Sequence, residues 1–355
     1  MKSNEKIKVL MLSPFFYPHK GGVEKHVYDV SSELIKRNYE VAVLTCKHDN
    51  NLPTSSRVDG IDIYRFTPNT LPIIGMIITM FKLLKYIRLV FQSKVVHCHD
   101  YQMFIWFIFL RILFPSKKMF ITFHGWEGDF PPNKLIVILR KISEKLTRGN
   151  ICIGSFIEKW YNTKASIISY GGVSFNQNKT SPQYKSDILV LSRMSHDIPI
   201  QKYLDTFKII KDVYSNNIEI TFLGKGELEE TVRLFSEEND LNISLKGFVD
   251  NPLDYINSTS IVIANGYLAI LESASKRKPV FAIYQNEMEY DRLSNFPFAE
   301  NFISLSDNPN DLADKINKYL IDKEESDLKF AESCDWAFKQ TWDNLTKKYL
   351  QLWKM

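Results

Sequence analysis

Five short stretches of this 355-residue chain place glycine beside a charged or titratable group directly after a strand-like run. The first is Ser13–Glu24, where Gly21 and Gly22 stand at the start of a helical pattern. Glycine lets backbone N–H groups approach a ligand, and a helix N-terminus carries about half a positive charge. The pair therefore reads either as an anion site or simply as a turn, since it has neither the G-x-G-x-x-G nor the G-x-x-x-x-G-K-[ST] spacing. The second is Phe123–Asp129, in which His124 and Gly125 follow MFITF. His124 is either a group aimed at a ligand or a histidine that caps the next element. The third is Val190–Met194, whose Arg193 offers a planar fork suited to phosphate. The fourth joins FLGKGE (222–227) to LKGFV (245–249). The fifth, Asn265–Ala274, sets Gly266 at a helix start and Glu272 a turn further in, where a carboxylate can accept from ribose hydroxyls while the helix end holds a diphosphate.

The elements that must position these groups follow from hydrophobic periodicity. Strands are expected at 7–13, 40–46, 61–66, 94–98, 119–123, 150–153 and 166–170, with a helix over 21–37 whose Val23, Val27, Val30 and Leu34 form one stripe. The strands are continuous apolar runs, as in parallel sheets covered on both faces. Residues 171–187 lose all period and are rich in Gly, Ser, Asn and Pro, which predicts a linker. Strands then resume at 188–192, 218–223, 242–246, 260–264 and 279–283, with helices near 199–214, 226–239 and 268–277. The expected fold is α/β, with two doubly wound Rossmann-like domains facing a central cleft: 1–170 and 188–336, with an aromatic-rich C-terminal helix over 337–355 packing back.

Composition narrows the function classes. Four scattered Cys exclude a disulfide scaffold or a structural zinc module. The net charge of +4 conceals 24 Lys and Arg against 13 Asp and Glu in residues 1–170, the excess reversing in 171–355. An anionic partner for the first half is one reading; a solvated basic face is the other. Residues 71–91 and 101–114 are apolar but interrupted by cations and fall short of the ~20 residues a spanning helix needs. Lys82, Lys85 and Arg88 recur every three residues and gather on one side of the 71–91 pattern. That suits either an interfacial helix, with cations toward anionic headgroups and its apolar side inward, or a core helix with its cations in water.

Taken in order, GGVEKHVYDVSSELIKRNYEV, His97-Cys98-His99, TFHG (122–125), LSR, FLGKGELEE, LKGFVDN and GYLAILESASKRKPVFA resemble the GT-B nucleotide-sugar glycosyltransferases of retaining family 4. The resemblance implies transfer of a sugar from a nucleotide diphosphate donor, a UDP- or GDP-sugar, to a lipid-linked or glycan acceptor, with no metal required and no nucleic-acid partner. It implies that Gly21 and Gly22 approach the donor diphosphate, that His124 lies near the reacting sugar and that Arg193 pairs with the diphosphate. By the same resemblance Gly247, Phe248 and Val249 meet the base. Gly266, Tyr267, Leu268 and Ala269 hold phosphate, and Glu272 binds ribose. Two positions depart from the family pattern. Ala264 stands where a Glu usually contacts the donor sugar, and Ile198 where a Lys follows the Arg; Lys202 is the nearest substitute. Loss of such a charge partner costs ~3–4 kcal/mol of transition-state stabilisation. The alternative expectation is thus a catalytically impaired GT-B subunit that binds nucleotide or lipid and serves a partner enzyme. The expected location is cytoplasmic, peripheral on the inner face of the membrane.

Overall fold

A computed structural model describes residues 7–69, 71, 73–125, 128–174, 186–214, 217–321 and 330–355. It divides into two compact units, one of residues 1–169 with 342–355, the other of residues 170–341.

The first unit runs β1 (Lys8–Ser13), α1 (Gly22–Lys36), β2 (Glu40–Cys46), β3 (Ser55–Val58), β4 (Ile61–Phe66), α2 (Ile73–Leu83), α3 (Ile87–Gln92), β5 (Val95–His99), α4 (Tyr101–Trp106), α5 (Phe109–Leu113), β6 (Lys118–Phe123), α6 (Lys134–Leu146), β7 (Asn150–Ile153), α7 (Phe156–Tyr161) and β8 (Ile167–Ser169). Its sheet order is β3-β4-β2-β1-β5-β6-β7-β8, parallel throughout except where β3 pairs antiparallel with β4. Val9 to Leu12, Val41 to Leu44 and Val95 to Cys98 are buried without a break, because helices cover both faces. The order reverses between β1 and β5, so the carboxyl ends of these two strands flank a crevice where ligands bind in open α/β sheets.

The second unit runs β9 (Ser186–Leu191), α8 (Ile200–Tyr214), β10 (Glu219–Leu223), α9 (Glu229–Glu238), β11 (Asn242–Leu245), α10 (Pro252–Ser258), β12 (Thr259–Ile263), α11 (Tyr267–Ala274), β13 (Val280–Ile283), α12 (Glu287–Ser294), α13 (Ala299–Phe302), β14 (Ile303–Ser306), α14 (Pro309–Ile321) and α15 (Phe330–Lys339). Its all-parallel order, β11-β10-β9-β12-β13-β14, is the doubly wound 3-2-1-4-5-6 arrangement, with its switch point between β9 and β12. The chain then returns to the first unit as α16 (Trp342–Trp353).

Three expectations are corrected. The C-terminal helix is not continuous over 337–355: it breaks at Gln340 and Thr341, leaving Trp336 and Phe338 on α15 of the second unit and Trp342, Tyr349 and Trp353 on α16 of the first. Thr341 leaves the helix to make a parallel bridge with Val173. The 171–187 segment is not wholly linker either, since Tyr170 onward belongs to the second unit and β9 begins at Ser186; residues 175–185 lie outside the described residues. Finally, the 71–91 pattern is not one helix but α2, a 3-10 turn at Leu84–Tyr86, and α3. Lys82, Lys85 and Arg88 are exposed as expected, yet Ile74 (66%), Ile77, Phe81 (68%) and Leu84 are exposed as well, so the apolar side is not all inward.

Candidate functional site

At the switch point of the first unit, the loop after β1 is pinned by Arg65. This buried side chain donates to Tyr17 O (2.8 Å) and Ser56 Oγ (2.8 Å). The loop delivers Gly21 and Gly22 to the start of α1. They differ in what surrounds them. A Cβ on Gly21 would lie 2.3 Å from Glu24 Oε2, whereas one on Gly22 would meet nothing within 4 Å. A side chain at Gly21 would have to displace the Glu24 carboxylate, whereas Gly22 leaves open space. Glu24 is itself held by His19 Nδ1 at 2.7 Å.

Four histidines converge beside this loop. His97 and His99 project from β5, His26 from α1, and His124 follows β6. His26, His97 and His99 are at most 3% exposed. Burial drives all four imidazoles to the neutral form: His124 falls to about 3, pushed further by the Arg140 cation, and the others lie well below their ordinary value. His99 Nδ1 and His124 Nε2 share a hydrogen bond of 2.8 Å. His124 N–H donates to Asp100 Oδ1 (2.8 Å). Asp100 has φ +66° and ψ 156°, a region costing about 1–3 kcal/mol for a residue with a Cβ, so the turn that aims His124 is strained. Burial raises the Asp100 carboxyl and the Arg140 charge lowers it. Arg140 is 1% exposed, lies 4.0 Å from the Tyr161 ring centroid and donates to Gly125 O. The result is a dry, rigid, polar floor under His124. Nδ1 of His124 has no hydrogen-bond partner among the described residues, which makes it the ring atom available to a ligand. Trp126 and Glu127 lie outside those residues.

At the switch point of the second unit, three glycine turns interlock. A Cβ on Gly224 would sit 2.0 Å from Ser192 O, one on Gly226 2.1 Å from Met194 O, and one on Gly247 2.8 Å from Lys225 Cε. The glycines of FLGKG thus let the β10 turn lie against the loop that carries Arg193. Arg193 is exposed and paired with Asp197 at 2.9 Å. Lys202 is placed elsewhere: its Nζ donates to Asp307 O (3.0 Å) and lines a cavity with Tyr284, Gln285 and Asn286 at the ends of β13 and β14. Ile198 packs against the apolar core of the unit, and Ala264 is 0% exposed. Gly247 adopts φ +66°, which exposes Phe248 (45%) beside the half-buried Val249. Gly266 caps α11 with extended backbone and open space at its Cβ position. The first-turn N–H groups of Tyr267, Leu268 and Ala269 follow, which no intrahelical carbonyl reaches. The Tyr267 side chain is engaged, donating to Arg292 O (2.7 Å) and packed on Phe296. Glu272 is buried one turn further on.

Residue reading missed Arg140, His26 and Tyr349 as site members. Arg140 sits next to Lys141 in an amphipathic helix, and nothing in KLIVILRKISEKL marks which cation is buried. Tyr349 lies 323 residues from its partner His26.

Two doubly wound units, each collecting polar groups at its own switch point, define the GT-B glycosyltransferase fold. The solved structure of sucrose-phosphate synthase from Thermosynechococcus elongatus superimposes with a TM-score of 0.75 at 14% identity, covering 98% of both chains. Crystal structures of TarM from S. aureus, one of them with UDP, give 0.68 at 12–13% identity and cover 98% of this chain. Residues 20–165, within the first unit, match the model of Glycosyltransferase Family 4. The phosphatidylinositol N-acetylglucosaminyltransferase GPI3 subunit of Saccharomyces cerevisiae is 30% identical over 97 residues, which is 26% of this chain and 21% of the yeast protein. The capsular polysaccharide biosynthesis glycosyltransferase CapH of Staphylococcus aureus is 25% identical over 199 residues, 54% of this chain and 55% of CapH. The chain thus aligns with about a fifth to a half of the length of these curated relatives.

Proposed function

We propose that this chain is a retaining glycosyltransferase that moves a hexose from a UDP- or GDP-sugar to a lipid-linked or glycan acceptor. The observation that carries the reading is the strained, neutral His124 site at the β1/β5 switch point, which falls inside the family 4 segment. The second unit supplies donor binding. The open Gly266 helix start faces the diphosphate, Arg193 adds a cation, the Gly247–Val249 turn meets the base and Glu272 takes the ribose. Binding energy directed at the leaving diphosphate lowers the barrier without metal chemistry being invoked for any step. Assay of transfer and hydrolysis with a panel of UDP- and GDP-sugars tests the reading. Glu272→Ala is expected to weaken nucleotide binding by about 1–3 kcal/mol, the scale of a lost charged hydrogen bond. Calorimetry giving the wild-type affinity removes Glu272 from the donor site.

A second reading is an impaired GT-B subunit that serves a partner enzyme. Two observations favour it: Ala264 is wholly buried where a sugar-contacting Glu is usual, and Ile198 packs into the core. The yeast relative is named as one subunit of a transferase. A chain that binds nucleotide but transfers no sugar from any donor supports this second reading.

For the acceptor, the names of the relatives supply both a phosphatidylinositol and a capsular polysaccharide. No helix among the described residues is long and apolar enough to cross a membrane. The exposed apolar residues Ile74, Ile77, Phe81 and Leu84 beside Lys82, Lys85 and Arg88 support a peripheral attachment to an anionic, cytoplasmic leaflet. Three cations contribute about 3 kcal/mol, enough for reversible binding. Co-sedimentation with phosphatidylserine vesicles is expected, declining with salt and in the triple Gln variant of the three cations. No pelleting at low salt returns the acceptor to solution.

A further inference from the structure

The C-terminal helix α16 ends a directional hydrogen-bond chain beneath His124. Trp353 Nε1–H can only donate, and it donates to His97 Nδ1 at 3.0 Å. A neutral His97 must then carry its proton on Nε2, which lies 2.7 Å from Thr122 Oγ1. Having accepted that bond, the Thr122 hydroxyl has Tyr349 Oη, at 2.9 Å, as the remaining partner for its own hydrogen. Tyr349 in turn donates to His26 Nε2 at 2.8 Å. The polarity of the whole chain follows from one indole N–H, and it fixes His26 as the Nδ1–H tautomer. The His26 ring meets His124 edge-on, with centroids 4.7 Å apart and planes 89° apart. His99 completes the support through its bond to His124 Nε2. Tyr349 itself is fully buried and touches no open space.

We infer that Tyr349 is a positioning residue: it locks the tautomer and plane of His26, and through that ring the orientation of His124. The inference rests on the reading of His124 as the sugar-side group, but the lock itself is a statement about the ground-state network.

The test is Tyr349→Phe in the full chain, which keeps the ring and removes only the hydroxyl. Long-range 1H–15N spectra of histidine-labelled protein report each tautomer. The expected result is loss of the single Nδ1–H signature of His26, a fall in kcat of about five- to tenfold, on the scale of one net hydrogen bond, and an unchanged KM for the donor. An unchanged His26 signature overturns the inference, as does a parallel shift of kcat and KM of the kind general loosening produces. Should Tyr349→Phe fail to fold, the wild-type spectrum decides: an Nδ1–H His26 accepting at Nε2 upholds the lock, and a His26 protonated on Nε2 overturns it. If the wild type transfers no sugar, loss of the His26 signature in Tyr349→Phe upholds the lock while the transferase reading falls separately.

Discussion

Acidification from pH 7 to pH 5 is expected to destabilise the first unit more than the second. His26, His97, His99 and His124 are neutral when folded, with folded pKa values depressed below the ordinary 6.5. Unfolding returns them to water, where they take up protons below about pH 6.5. The unfolded state therefore binds more protons across this interval, so stability is complete above pH 6.5 and declines as the pH drops. Each group withdraws stability as the pH falls below its unfolded value, and the four act in the same direction. The carboxyls of Asp100 and Asp29, both raised by burial, work in the opposite sense. Six of the seven histidines belong to the first unit, which makes the second an internal control. Thermal melts followed by tryptophan fluorescence at pH 7.5, 6 and 5 check this; a first-unit transition that stays put over the range refutes the neutral network.

Replacing His124 by Ala is expected to lower sugar transfer at least about tenfold, with little change in nucleotide affinity. The imidazole follows a strained turn with Nε2 committed to His99, so Nδ1 is the ring atom left for a ligand. Its depressed pKa keeps it an uncharged hydrogen-bonding group at every physiological pH, so it does not act as a proton donor in the manner of an imidazolium. The log of kcat against pH should accordingly show no inflection from His124 between pH 5.5 and 8. Normal transfer by His124→Ala would make the residue a purely structural part of the floor.

Much of the fold was legible because buried parallel strands print as unbroken apolar runs. The edges were not. Ser55–Val58 pairs only on one side and alternates exposed with half-buried residues, so SSRV carries no apolar signal. Ile303–Ser306 is likewise an outer strand, only four residues long and mostly half-buried. At the site, His124, Arg193 and Glu272 could be singled out by their place after a strand or a helix start, which is a local property. Roles that depend on burial or on distant pairing could not. Gly21 and Gly22 are adjacent and chemically identical, yet only the fold shows that one yields to Glu24 and the other to open space. The glycines in FLGKG carried no assignable role in the sequence; the close approach they permit is to the neighbouring backbone at Ser192 and Met194.

The return of the chain as α16 has a consequence for the order of assembly on the ribosome. Residues 170–341 emerge as one continuous stretch and hold all the strands of their own sheet, so they can fold without help from later sequence. Residues 1–169 emerge earlier but stay incomplete: His97 Nδ1 and His26 Nε2 each lack the partner they have in the finished fold until Trp353 and Tyr349 have been made. The unit translated first is therefore the unit finished last. A nascent chain halted before residue 342 should protect the second unit from protease while leaving the first exposed.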